Sequence, residues 1–300
     1  MVRRNRQADG FETLDRIKRL AIVAIFSDDE FMDTFVLKGG NALDLIHGVA
    51  ARSSVDLDFS MAGDFTGRDL NELRDRTARL LERAFTPQGY RVLDVRFEEV
   101  PAAISPNLQE FWGGYRIEFK IIPEDRARIL TDLQSRRRQS TVVGPRQKRT
   151  FSIDISKHEY VEAKEEAELE GYTIYVYPPA VIAMEKLRAI CQQSPEYIKG
   201  VKSRFTPRAR DFFDICVILE HCRIELTSPP NIELLRQIFE AKRVPLDLLD
   251  KISPSRESHR ADYPALQDSV YSNENLKPFD FYFDYVVSLG ERLLHRLREI

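Results

Sequence analysis

The sequence predicts an α+β fold, with a mixed sheet and flanking helices over residues 1–178 and a helical domain over 179–300. Three observations carry that expectation. Short strand-like segments, either alternating or wholly apolar, recur up to residue 177 and not beyond it. Segments with helical spacing of apolar residues lie between them. Pro178-Pro179 then punctuates the chain, and everything patterned after it is helical.

Taken in order, residues 11–26 place Phe11, Leu14, Ile17, Leu20, Ala21 and Ala24 on one helical face. Residues 34–38 read as a short buried strand, 41–50 as a helix opening at a diglycine, and 55–60 as a second strand. A charge-rich helix over 67–86 stops near Pro87 and Gly89. Residues 90–99 and 115–122 alternate as strands. Residues 124–140 read as one helix, 151–156 as a strand, 161–170 as an acidic stretch and 173–177 as the last strand. Helices are expected at 180–192, 207–222, 231–241 and 279–298, and a long proline-bearing loop at 253–278.

Composition narrows the function classes. A hydrophobic content of 43% supports a sizeable core, and a net charge of −3 excludes a general polycation. Any contact with nucleic acid must then come from a local patch, and residues 136–149 supply one: Arg136, Arg137, Arg138, Arg146, Lys148 and Arg149. Cys191, Cys216 and Cys222 have no metal-ligand spacing and read as reduced thiols of a cytoplasmic protein. No secretory h-region and no membrane span are expected.

The chemistry concentrates in residues 36–59. Lys38-Gly39-Gly40 closes an apolar run and opens a helix, a natural seat for phosphate because backbone N–H groups point outward there. Asp56 and Asp58, flanked by Val55, Leu57 and Phe59, share one strand face about 7 Å apart. Two carboxylates that close repel, and a divalent cation between them is the usual remedy. A third carboxylate is expected from another strand. Asp154, mid-strand between two isoleucines, is the first choice, Glu118 the second, and Asp94 a further candidate. Arg52 reads either as a phosphate contact or as a cation at a helix C-terminus. Ser53 and Ser54 read either as phosphate contacts or as the helix end. In the helical half, Lys186 lies in a Glu-Lys-Leu-Arg run, and Asp211 and Asp214 share a helix face, with Arg210 placed to pair with Asp214.

The motifs KGGNAL, ARSSVDLDF, FSIDIS, MEKLRA and RARDFFDI, in that order, resemble the AbiEii/AbiGii toxin family of nucleotidyltransferases, within the polymerase-beta-like superfamily. The 15 residues between Gly40 and Asp56 exceed the usual superfamily spacing but suit the toxin family, whereas Asn41 stands where Thr or Ser is more usual. The resemblance implies a polymerase-beta-like fold and a toxin, of the kind used in phage defence, that transfers nucleotides from NTP to RNA, with tRNA 3′ ends as the expected acceptor. Alternatives are modification of a protein hydroxyl and a non-catalytic nucleotide- or RNA-binding module. The implied cofactor is Mg²⁺ or Mn²⁺, held by Asp56, Asp58 and Asp154. Lys38, Gly39, Gly40, Asn41, Arg52, Ser53 and Lys186 are the implied nucleotide contacts, and Lys186 and Asp211 join the catalytic set. A winged-helix antitoxin encoded nearby is the implied partner.

Overall fold

Helices α1 (Val2–Phe26) and α2 (Asp29–Thr34) precede the first strand of this computed structural model. It describes residues 2–49, 51–54, 56–144, 147–201, 203–271 and 275–299, with side chains from residue 13 onward. The Asp28 carboxylate caps α2 by accepting the Phe31 N–H at 3.1 Å. Strand β1 (Val36–Lys38) runs directly into α3 (Gly39–Leu45), and β2 (Leu57–Ser60) returns antiparallel beside β1. Helix α4 (Leu70–Phe85) leads to the long hairpin of β3 (Tyr90–Val100) and β4 (Gly114–Pro123). Short helices α5 (Glu124–Ile129) and α6 (Leu133–Gln139) then precede β5 (Phe151–Ser156), β6 (Glu165–Leu169) and β7 (Tyr172–Val176).

The seven strands form one mixed sheet in the order β3-β4-β5-β2-β1-β7-β6. Strand β2 lies at its centre, antiparallel to β1 and parallel to β5. Alternation dictates what each face carries. Leu57, Phe59, Ile117, Phe119, Ile153 and Ile155 are buried on one face. That face packs on the helices through ring pairs such as Phe26–Phe59 at 5.9 Å and Phe85–Phe119 at 5.7 Å. Each such buried side chain contributes roughly 1.5–3 kcal/mol. The intervening residues of β2, β4 and β5 are thereby sent to the opposite face.

Every named element after β7 is helical. Helix α7 (Pro179–Cys191) starts just beyond β7, with proline in its first turn, where a missing N–H costs nothing. Helices α8 (Pro195–Val201), α9 (Ala209–His221), α10 (Pro229–Ala241), α11 (Arg256–Arg260), α12 (Tyr263–Gln267) and α13 (Phe279–Glu299) follow. Phe212 of α9 stacks on Phe283 of α13 at 5.0 Å. One continuous cluster of buried apolar side chains runs from Ile17 to Leu294, so the two halves share a core.

Several expectations change. The 41–50 helix ends at Leu45, and the 55–60 strand begins at Leu57, which leaves Asp56 just outside it. Val55 lies outside the described residues. The 124–140 helix is broken at residues 130–132, where Asp132 caps a new helix by accepting the Ser135 N–H at 2.8 Å. The acidic stretch contains β6, a charged edge strand that discourages further pairing. The long loop at 253–278 contains α11, α12 and a further helical turn.

His259 of α11 anchors this last region. It is fully buried between Phe205 and Phe212, each ring 5.1 Å away. Its Nδ1 accepts the Arg208 N–H at 3.1 Å, which fixes the entry to α9. Burial, reinforced by Arg208, pushes the imidazole down to about 4 from 6.5. The fold therefore holds it neutral while the unfolded chain takes up a proton below pH 6.5. Stability should fall by about 3 kcal/mol as pH drops from 6.5 to about 4, and this contribution should be flat above that window. Urea midpoints should decline less steeply with acid in His259→Phe than in the parent chain; parallel profiles would contradict this.

Candidate active site

A row of charged residues crosses the sheet on the face opposite the aromatic core. In register, Lys38 of β1 opposes Asp58 of β2, Asp58 opposes Asp154 of β5, Asp154 opposes Arg116 of β4, and Arg116 opposes Glu98 of β3. Like charges directly opposite on neighbouring strands destabilise a sheet, so the Asp58–Asp154 pair requires compensation. Part of it is present. Arg116 donates to both oxygens of Asp154, at 2.6 and 3.2 Å, and Lys148 reaches Asp56 at 2.9 Å. The Asp58 carboxylate has no hydrogen bond or ion pair among the described residues. Burial pushes its carboxyl up to about 6, and the repulsion of Asp154 and Asp56 adds to this against the pull of Lys38 and Lys186.

Gly39 lies against this carboxylate. Its φ is +71°, and an added Cβ would stand 2.7 Å from the Asp58 Oδ2. Only glycine meets both demands. An added Cβ at Gly40 would touch Ser54 at 3.0 Å, so the diglycine packs closely on the segment leading into β2. Asn41 is fully buried and turned inward: its amide donates to the Asp56 carbonyl at 2.6 Å.

Two buried ion networks flank the row. In one, Lys186 of α7 sits 3.0 Å from Asp211 and 2.7 Å from Asp214, both on α9. Asp214 also holds Arg52 through two hydrogen bonds, at 2.8 and 2.6 Å. Burial works to raise the Asp214 carboxyl, yet Arg52 and Lys186 hold it well below the usual range. Burial likewise works against the Lys186 ammonium, and the two aspartates more than offset it. In the other network, Lys38 lies 3.5 Å from both Glu159 and Glu185, and Arg188 and Lys242 complete the cluster around Glu159. Burial opposes the charge on Lys38, but the two glutamates keep its pKa above the ordinary lysine value.

The expected set is therefore largely brought together across the two halves. Asp56, Asp58, Asp154, Lys38, Gly39 and Gly40 meet around the central strands β1, β2 and β5, and Lys186 of α7 and Arg52, held by α9, act electrostatically on Asp58. Asp211 stands behind Lys186. Arg52 is not a helix C-terminal cation, because α3 ends at Leu45. Its segment is instead clamped by the C-terminal region: Ser53 N–H donates to Ser269 O at 2.9 Å, and Tyr271 N–H to Ala51 O at 3.2 Å. Arg210 does not pair with Asp214; it reaches the Ala265 carbonyl at 3.4 Å. Glu118 opposes Ser152 rather than Asp154 and lies one strand further from Asp58. Asp94 is tied to Lys120 and Arg137 at the bulge in β3.

The basic segment is mostly spoken for. Arg136 donates to Leu130 O, Arg137 to Asp94, Lys148 to Asp56 and Arg149 to Ser140 O, while Arg138 is exposed. Arg146 lies outside the described residues. Sequence reasoning missed Arg116 and Glu159 as neighbours of the site. Arg116 is two residues from Glu118 on the same strand face, a usable signal, whereas Glu159 is isolated in a loop and gives none.

Among the described residues, no three His, Cys, Asp or Glu side chains converge as a ready-made metal site. The donor chemistry nonetheless fits a hard divalent ion: an oxygen-only set of carboxylates, one of them uncompensated.

Residues 21–285 match the family described as nucleotidyl transferase AbiEii toxin, type IV TA system. The chain belongs to this family and is a nucleotidyltransferase toxin, and membership implies an antitoxin partner. No curated protein matches it. Among solved structures it is similar to JHP933 from Helicobacter pylori, at 16% identity and a TM-score of 0.49, over 96% of this chain and 94% of that one. It is also similar to MenT4, the nucleotidyltransferase toxin Rv2826c from Mycobacterium tuberculosis, at 15% identity and a TM-score of 0.44, over 95% and 86%. No helix among the described residues is long and apolar enough to cross a membrane.

Gly39→Ala should force the Asp58 carboxylate aside and strain a left-handed backbone, costing about 1–3 kcal/mol. Activity should fall by more than that loss of folded protein explains. Thermal unfolding and turnover measured on the same preparation check this; unchanged turnover would contradict it.

Proposed function

We propose that this toxin transfers a nucleotidyl group from an NTP to an RNA hydroxyl, with a tRNA 3′ end as acceptor and Mg²⁺ or Mn²⁺ as cofactor. The observation that carries the reading is the in-register Asp58–Asp154 pair, flanked by Lys38 and Arg116 and with no ion pair on Asp58 among the described residues. Family membership supplies the reaction class.

Asp56, Asp58 and Asp154 would hold the metal. When bound, it neutralises charge on the triphosphate and acidifies the acceptor hydroxyl. The chain's own residues do the rest. Gly39 and Gly40 let Asp58 and Ser54 pack against the turn, and the backbone N–H groups that open α3 would meet the phosphates. Lys186 and Arg52 present positive charge whose position is fixed by Asp211 and Asp214, so no reorganisation is needed as charge develops on the leaving pyrophosphate. Lys38 sets the potential at Asp58 while its own ammonium stays with Glu159 and Glu185. Asn41 acts indirectly, by holding the Asp56 main chain. Ser54 packs against Gly40, while the Ser53 main chain is held by the Ser269 carbonyl. Asp154 lies between Asp58 and Arg116 in register and would complete the metal set from β5. Exposed Arg138 is the remaining described cation of the basic segment for an RNA phosphate. A tRNA acceptor places the action in the cytoplasm, and the antitoxin is taken to be a winged-helix protein encoded nearby.

Purified protein incubated with Mg²⁺, bulk tRNA and each labelled NTP in turn should label the tRNA with at least one of them. Asp58→Asn should reduce labelling by on the order of 10²–10³-fold. Label appearing on protein alone would reject the RNA acceptor, and full labelling by Asp58→Asn would reject the site.

A further inference from the structure

The cations around the row are not equivalent. Lys38, Lys186 and Arg52 keep little of their side chains exposed, and each makes two ionic contacts. Arg116 is more open but grips Asp154 with two parallel hydrogen bonds, a rigid geometry for a planar guanidinium. Lys148 differs from all four. Its ammonium has one carboxylate oxygen, Asp56 Oδ1 at 2.9 Å, and a long contact to Ser152 Oγ at 3.4 Å. Its side chain is 39% exposed and that of Asp56 46% exposed, where an ion pair is worth little.

The backbone at this point is held. The Lys148 carbonyl accepts the Val143 N–H at 2.8 Å, and the residue bridges to Gly144. Movement of the ammonium therefore needs only rotations of its own four-carbon stem. The carboxylate it covers is next to the diglycine turn, since Asn41 of α3 holds the Asp56 carbonyl.

We propose that Lys148 is an exchangeable cation, which covers Asp56 in the resting enzyme and moves to a substrate phosphate oxygen when a metal–triphosphate arrives. This rests on the reading of the site as one for NTP and metal. A divalent ion on Asp56 repels the ammonium, while the triphosphate brings a denser negative charge beside it. The same lysine thus opposes binding of free metal and favours binding of the metal–triphosphate complex, a positioning role that a merely structural lysine would not show.

The test uses Lys148→Ala and Lys148→Arg in the full chain, with the parent and Asp58→Asn for comparison. Mn²⁺ binding without nucleotide is followed by electron paramagnetic resonance, and inorganic tripolyphosphate binding in the presence of Mn²⁺ by calorimetry. Lys148→Ala should bind Mn²⁺ on the order of threefold to fivefold more tightly, and tripolyphosphate on the order of tenfold more weakly. Lys148→Arg should restore tripolyphosphate binding. Effects of the same sign on both ligands, or no effect on either, would overturn the proposal and leave the site reading standing. Failure of the parent and every variant to bind Mn²⁺ would overturn the site reading and the proposal together.

Discussion

The structure depends on a like-charge contact at the centre of its sheet. Asp58 and Asp154 are directly opposite on parallel neighbours, on a face that the aromatic core has forced them to share. Nothing in the packing favours two carboxylates there. Asp58 bears the cost: burial and its acidic neighbours raise its pKa to about 6, so at higher pH the fold carries an ionised group at a penalty of about 3 kcal/mol. Such a penalty persists only when surrounding structure over-determines the position. Here the surroundings are Leu57 and Phe59 in the core, Gly39 against the carboxylate and Lys38 in register beside it.

The rest of the molecule holds cations at the right distance without letting them collapse onto Asp58. Lys38 is drawn aside by Glu159 and Glu185, and Lys186 by Asp211 and Asp214. Breaking a buried pair of this kind typically costs about 3–5 kcal/mol, so these networks are rigid supports. They also cross the junction between the strand-rich and helical halves, as the continuous core does. The C-terminal region contributes through His259 beneath Arg208 and through the backbone clamp on residues 51–54.

How far this was legible follows from what is local. The doublet at Asp56 and Asp58 and the diglycine stand in one stretch of chain, and the apolar residues around Asp58 announce which way it points. The change of character at Pro178-Pro179 is equally local, and α7 begins there. The third carboxylate is not local. Asp154, Glu118 and Asp94 look alike in sequence, and only inter-strand register separates them: Asp154 opposes Asp58, Glu118 opposes Ser152, and Asp94 is bound at a bulge. Nor could helical spacing show that Asp214 prefers Arg52, 162 residues away, to Arg210 on its own helix. Strand ends are hidden for a similar reason: the apolar pattern continues past the last paired residue, so it includes Asp56 although the strand begins at Leu57.

The proposed site requires Asp58 to be ionised and to take up a cation. Thermal unfolding of the parent and Asp58→Asn at pH 7.5, with and without Mn²⁺, tests it most directly. The account predicts that Asp58→Asn unfolds at a higher temperature than the parent without metal, and that Mn²⁺ raises the parent alone. A less stable Asp58→Asn without metal, or an equal Mn²⁺ shift in both proteins, would contradict it.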